Sequence, residues 1–99
     1  MNLELARTVQ VALLGEVPPT LRFLYAWISD NTLNFHAVLT DDATEEHIEA
    51  LRCVSTEVMA SQPSNINFIE KIEIDNSMPW CFGNGNNLMY LRWGELSNA

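Results

Sequence analysis

Residues 20–29 leave this chain few folds to choose from. Leu21, Phe23, Tyr25 and Trp27 alternate with Arg22, Leu24, Ala26 and Ile28, so both sets are largely apolar. A strand that is apolar on both sides belongs inside a sheet with both faces at least partly covered. Ser29-Asp30-Asn31-Thr32 follows, and it is turn chemistry: Asp and Asn tolerate left-handed backbone and bond their own chain. Residues 33–39 return as a strand, with Leu33, Phe35, Ala37 and Leu39 on one face and Asn34, His36 and Val38 on the other. The two runs predict a hairpin.

The flanking segments read as two helices and two more strands. In 3–14, Leu3, Ala6, Val9, Leu13 and Leu14 recur at spacings of three and four, and Gly15 is placed to stop the helix. Val17-Pro18-Pro19 then enforces an extended link. Asp42-Ala43-Thr44-Glu45 resembles a capping box, opening a helix over about 43–61 whose apolar stripe is Ile48, Leu51, Val54, Val58 and Met59. Residues 65–75 alternate as a third strand, except that Glu70 falls on the apolar side and Ile69 on the polar side, which a bulge near Glu70 would explain. Residues 76–87 are a Gly/Asn-rich loop carrying Met78, Trp80 and Phe82, and 88–94 a last strand. The order α-β-β-α-β-β predicts an α+β fold: an antiparallel sheet of about four strands with both helices packed on it. At 99 residues the chain makes a single domain, 1–99.

Charge narrows the function classes. Thirteen acids stand against five bases, a formal charge of −8, which repels nucleic acid and anionic lipid and attracts basic protein. Asp41, Asp42, Glu45, Glu46 and Glu49 gather at the start of the second helix with no Lys or Arg among them. Helix capping and the macrodipole account for Asp42, Glu45 and Glu46 but not for Glu49 or Glu57. Glu70, Glu73 and Asp75 form a second acidic group on the third strand. No run reaches the ~18 apolar residues of a membrane span. The start Met1-Asn2-Leu3-Glu4 lacks a basic n-region, so no secretory signal is expected, and Cys53 and Cys81, between which one disulfide is possible, are expected as reduced thiols in the cytoplasm.

Catalytic signatures are sparse. Gly83-Asn84-Gly85 lacks the Lys and Ser/Thr of a phosphate loop. His36 and His47 stand alone, and the two cysteines lie too far apart in sequence for a metal motif, so no metal or cofactor is expected. A small enzyme using His36 with a carboxylate remains an alternative, as does an adaptor that adds a partner strand at a sheet edge. Trp80, after Pro79 in the loop, has two readings, a cover for the sheet edge and an aromatic interface anchor.

The stretch Leu5-Ala6-Arg7-Thr8-Val9-Gln10-Val11-Ala12-Leu13-Leu14-Gly15-Glu16-Val17, then Leu21-Arg22 and the hairpin, Thr44-Glu45-Glu46, Val54-Ser55-Thr56-Glu57-Val58 and a closing Tyr90-Leu91-Arg92, is similar in order to small acidic bacterial immunity proteins of contact-dependent growth inhibition and related polymorphic toxin systems. The resemblance implies a cytoplasmic binding protein without cofactor or chemistry, whose partner is the toxin domain of a cognate effector, often a nuclease. No contact residue carries over by motif. The expected partner-binding set therefore comes from the physical reading: Asp41, Asp42, Glu45, Glu46, Glu49, Glu70, Glu73, Asp75 and Trp80.

Overall fold

The structure, a computed structural model, describes residues 3–77, 85–93 and 95. Its elements are α1 (Leu3–Leu13), β1 (Leu21–Ser29), β2 (Thr32–Leu39), α2 (Glu45–Ala60), β3 (Asn67–Ile74) and β4 (Leu88–Leu91), with a 3-10 turn at Gly85–Asn87 before β4. This is the expected α-β-β-α-β-β order. The four strands form one sheet in the order β3-β2-β1-β4, which places β1 inside it, as its two apolar faces require.

Local chemistry explains the boundaries. Gly15 takes φ +78°, the left-handed conformation that ends α1. Asp30 and Asn31 both take positive φ, 51° and 56°, in the two-residue turn between Ser29 and Thr32. That is the turn whose twist matches a hairpin. Asn31 also ties the next strand in place: its carbonyl accepts from the Asn67 amide at 2.9 Å, and its side-chain amide donates to the Asn65 carbonyl at 2.9 Å.

One strand pairing corrects the all-antiparallel expectation. β1 pairs antiparallel with β2 and with β4, but β3 runs parallel to β2, from Thr32 opposite Asn67 to Leu39 opposite Ile74. The connection between them is α2, and a helical crossover is what a parallel neighbour needs. This pairing runs without a shift through residue 70, so no bulge exists at Glu70. Glu70 stays on the helix side, where it accepts a hydrogen bond from the Ser55 hydroxyl of α2. Ile69 is left 56% exposed on the other face. The irregularity lies in β1 instead, where Arg22 is the extra residue between Leu21 and Phe23.

The main core joins Leu5, Val9 and Leu13 of α1 and Leu51, Val54 and Val58 of α2 to the inward residues of β1 and β2, chiefly Leu24, Leu33, Phe35 and Leu39. Both helices thus share one sheet face. On the opposite face Phe23, Tyr25 and Val38 are buried as a smaller cluster, with Trp27, Leu88 and Leu91 against it. The Phe23 and Tyr25 rings meet edge to face at 5.9 Å.

The cap of α2 is Thr44, two residues later than the Asp42 start read from the sequence. Thr44 accepts from the His47 amide at 3.2 Å, and the His47 ring nitrogen Nδ1 accepts from the Thr44 amide at 3.3 Å. His47 thus does the reciprocal work normally given to Glu or Gln at that position. A Thr44→Ala chain is expected to lose about 1 kcal/mol. A thermal melt checks this, with a drop of roughly 4–8 °C expected for a domain of this size.

Candidate functional site

The candidate site lies at the end of the sheet where β1 begins and β2 and β3 finish. Thr20 leads into β1 and Thr40 leaves β2, with the Thr40 amide donating to the Thr20 carbonyl at 2.9 Å. Asp41 and Asp42 follow at once and carry the chain to the start of α2. The Asp41 amide donates to Asn76 Oδ1 at 3.1 Å, which joins this turn to the end of β3. Thr20 Oγ1 lies 2.9 Å from His47 Nδ1, which joins it to α2. Pro19, Thr20, Thr40, Asp41, Asp42, His47, Asn76 and Arg92 line an open cleft at this end.

Asp41, Asp42, Glu45, Glu46 and Glu49 are all exposed. The Thr40 hydroxyl donates to Asp42 and holds its carboxyl below the usual aspartate range. Glu49 pairs weakly with Arg52, at 3.5 Å across solvent. Among the described residues no cation lies within ion-pair distance of Asp41, Asp42, Glu45 or Glu46. The reason is that most of the few bases are engaged elsewhere. Of the five Lys and Arg in the chain, Arg22 and Arg92 bind Glu95, Arg52 binds Glu49 and Lys71 binds Glu73.

The acids of β3 are divided. Glu70 lies on the helix side against Ser55. Glu73 lies on the opposite face, 2.5 Å from His36 Nε2 and 3.3 Å from Lys71 Nζ. Burial pushes Glu73 up, but the hydrogen bonds from His36 and Lys71 bring it below the ordinary glutamate value. Asp75 caps the turn after β3, accepting from the Ser77 amide at 2.7 Å and its hydroxyl at 2.8 Å. The structure therefore gathers Asp41, Asp42, Glu45 and Glu46 at one end, places Asp75 beside them through Asn76, and sends Glu70 and Glu73 to different faces. Trp80 lies outside the described residues. The His36–Glu73 contact supplies the pairing that an enzyme would need, but Lys71 shares the same carboxylate, and the three groups form one polar chain across β2 and β3.

Two features were not legible as site residues. Trp93, just past β4 and next in the chain to Arg92 of the cleft, is 96% exposed. Strand alternation cannot distinguish an aromatic on an exposed strand end from one in a core. The second is Glu95, 1% exposed, which receives Arg22 Nε at 3.1 Å and Nη2 at 2.8 Å and Arg92 Nη2 at 2.8 Å. Arg22 Nη1 also donates to the Asp75 carbonyl at 2.7 Å. The bulge at Arg22 thus serves a clamp that ties β1, the end of β3 and the segment after β4 together beneath the acidic end.

Among the described residues there is no group of three or more His, Cys, Asp or Glu arranged to hold a metal ion, and no helix long and apolar enough to cross a membrane. No curated protein matches the chain. The family model described as MafI2 immunity protein matches residues 2–94. A match over nearly the whole chain agrees with the resemblance read from the sequence: this chain belongs to the MafI2 immunity protein family and is an immunity protein of a polymorphic toxin system, with a cognate toxin as its partner.

Proposed function

We propose that this protein acts by binding, not by catalysis, and that it neutralises a nuclease toxin domain in the cytoplasm by occupying the basic surface with which that domain holds phosphates. The observation that carries the reading is the set of exposed carboxylates at the start of α2, of which Asp41, Asp42, Glu45 and Glu46 have no cation within ion-pair distance among the described residues. Nuclease surfaces need Lys and Arg to hold the backbone of their substrate. Asp41, Asp42, Glu45, Glu46 and Glu49 act as surrogates for those phosphates, and Trp93 is the aromatic anchor at the margin of the patch. Carboxylates at a helix start tolerate their mutual repulsion because the macrodipole favours them. They gain further when a cationic partner arrives.

The test uses the toxin domain of the cognate effector. Co-expression should restore growth to cells making that domain, the two should co-purify, and the domain alone should degrade DNA or RNA. A toxin domain that kills without nucleic-acid cleavage would remove the nuclease assignment. A complex whose contact zone contains none of the α2 carboxylates would remove the acidic-surface mechanism.

A further inference from the structure

β3 is a terminal strand of the sheet, and among the described residues no strand pairs with its outer edge. The Asn67 amide donates to Asn31 and the Asp75 amide to Leu39, both on the β2 side. Alternation along a strand then turns the amides and carbonyls of Phe68, Glu70, Ile72 and Ile74 outward. None of the described residues pairs with them. Residues 67–71 and Ile74 are exposed, and Phe68, Ile69 and Ile74 keep 36%, 56% and 49% of their surface in water. Natural sheets normally blunt such an edge with Pro, a bulge or a covering segment. Here there is no Pro in β3 and no bulge in its pairing with β2. Its guards are the charged side chains Glu70, Lys71 and Glu73.

Resting on the toxin-binding reading above, we propose that this edge receives an extended, basic strand of the cognate toxin domain, which adds to the sheet as a fifth strand. Main-chain hydrogen bonds to the four outward residues would supply affinity, and side chains on the two faces would supply selectivity. Glu70 on the helix side and Glu73 on the other face call for basic residues in the incoming strand, and Phe68 and Ile69 for apolar ones. Asn76 at the end of β3 bonds the Asp41 amide, so the edge runs directly into the acidic end of the molecule. An ordinary interface takes ~800 Å² from each partner, and the edge and the acidic end would both contribute to it. A second copy of this chain is the poorer occupant. Two chains of charge −8 repel, and symmetric pairing centred on Glu70 or on Lys71 sets like charges directly opposite each other.

The backbone itself is the test. Glu70→Ala removes the carboxylate and the Ser55 contact but keeps the outward amide, whereas Glu70→Pro removes that amide as well, at an edge position where proline does not break the β2 ladder. With both variants shown to be folded by circular dichroism, Glu70→Pro should bind the toxin domain at least about tenfold more weakly than Glu70→Ala, the loss of roughly one to two hydrogen bonds. Equal affinities would overturn the proposal. Hydrogen exchange on the unaltered chain serves if Glu70→Pro does not fold. On adding the toxin domain, the amides of Phe68, Glu70, Ile72 and Ile74 should slow, while those of Ile69, Lys71 and Glu73 are already protected. A complex in which the outward amides exchange as in the free chain overturns the edge assignment and leaves the acidic-surface reading standing. No complex at all overturns both. Protection that appears in the free chain with rising concentration, together with dimer formation in sedimentation, assigns the edge to a second copy instead.

Discussion

Reversing Glu45, Glu46 and Glu49 to Lys should slow association with the cognate toxin domain by about 10- to 1,000-fold at low salt, the range over which oriented charge accelerates encounter. Each reversal changes the charge by two, so the three together move the chain from −8 to −2 and reverse the field over the start of α2. The effect should lie in the on-rate. It should shrink as salt rises, because exposed charges are screened beyond about 10 Å at 0.1 M. Two controls separate steering from folding. Glu45 and Glu46 occupy the first turn of α2, so Lys there opposes the macrodipole by roughly 0.3–1 kcal/mol each. A melt shows whether that loss matters. The same reversal at Glu57, in the second half of α2, changes net charge equally for one site without touching the helix start. Rates measured by surface binding at two ionic strengths decide the question, and an unchanged low-salt on-rate for the triple variant would eliminate this end of the molecule as the steering surface.

The contrast between what could be read and what could not follows from how far apart the determinants are in the chain. Asp30-Asn31 and Gly15 act within a turn of their own residues, so the hairpin and the end of α1 were legible. The doubly apolar pattern of residues 20–29 likewise reported an internal strand, because burial on two faces is written into one segment. The direction of β3 was not written there. Alternation identifies a strand but not its neighbour, and the parallel pairing became visible only once Thr32 was seen opposite Asn67. Ile69 and Glu70 read as a bulge because strict alternation was expected to keep apolar residues on one face and polar ones on the other. At an open edge an exposed isoleucine is tolerated, and a glutamate on the helix side finds Ser55. The cap was misplaced by two residues because Asp42 and Thr44 are both good caps, and a histidine in the reciprocal role is not part of the usual signature. For the site, the acids were plain from composition. That four of the five bases are spent on Glu95, Glu49 and Glu73 was not, since Arg22 and Glu95 lie 73 positions apart.

Removing the Glu95 carboxylate should be the most damaging single change to stability. In Glu95→Ala the buried Arg22 keeps the Asp75 carbonyl and the face of Phe23 at 5.4 Å but loses the carboxylate that both its Nε and Nη2 bind. Leaving one member of a buried pair uncompensated typically costs about 3–5 kcal/mol. Domains of this kind hold roughly 5–15 kcal/mol in total, so a chemical denaturation midpoint should fall sharply. Much of that loss is the penalty on the orphaned arginine, not the net value of the pair. The double change Arg22→Met with Glu95→Leu should therefore recover a large part of it, and no recovery would show that the clamp itself is the source of stability. The pH dependence carries the same signature. Arg22's hydrogen bonds, outweighing burial, hold Glu95 below the ordinary glutamate value. A carboxylate lowered in this way is protonated first in the unfolded chain. Its contribution is complete above the ordinary glutamate value of 4.5 and is lost as pH falls from there through the lowered native value. The unaltered protein should lose stability steeply across that acid window, and Glu95→Ala should show a visibly flatter limb, with Asp42 and Glu73, the other lowered carboxylates, still contributing slope. Parallel acid limbs in the two proteins would mean that Glu95 does not titrate as a clamped carboxylate.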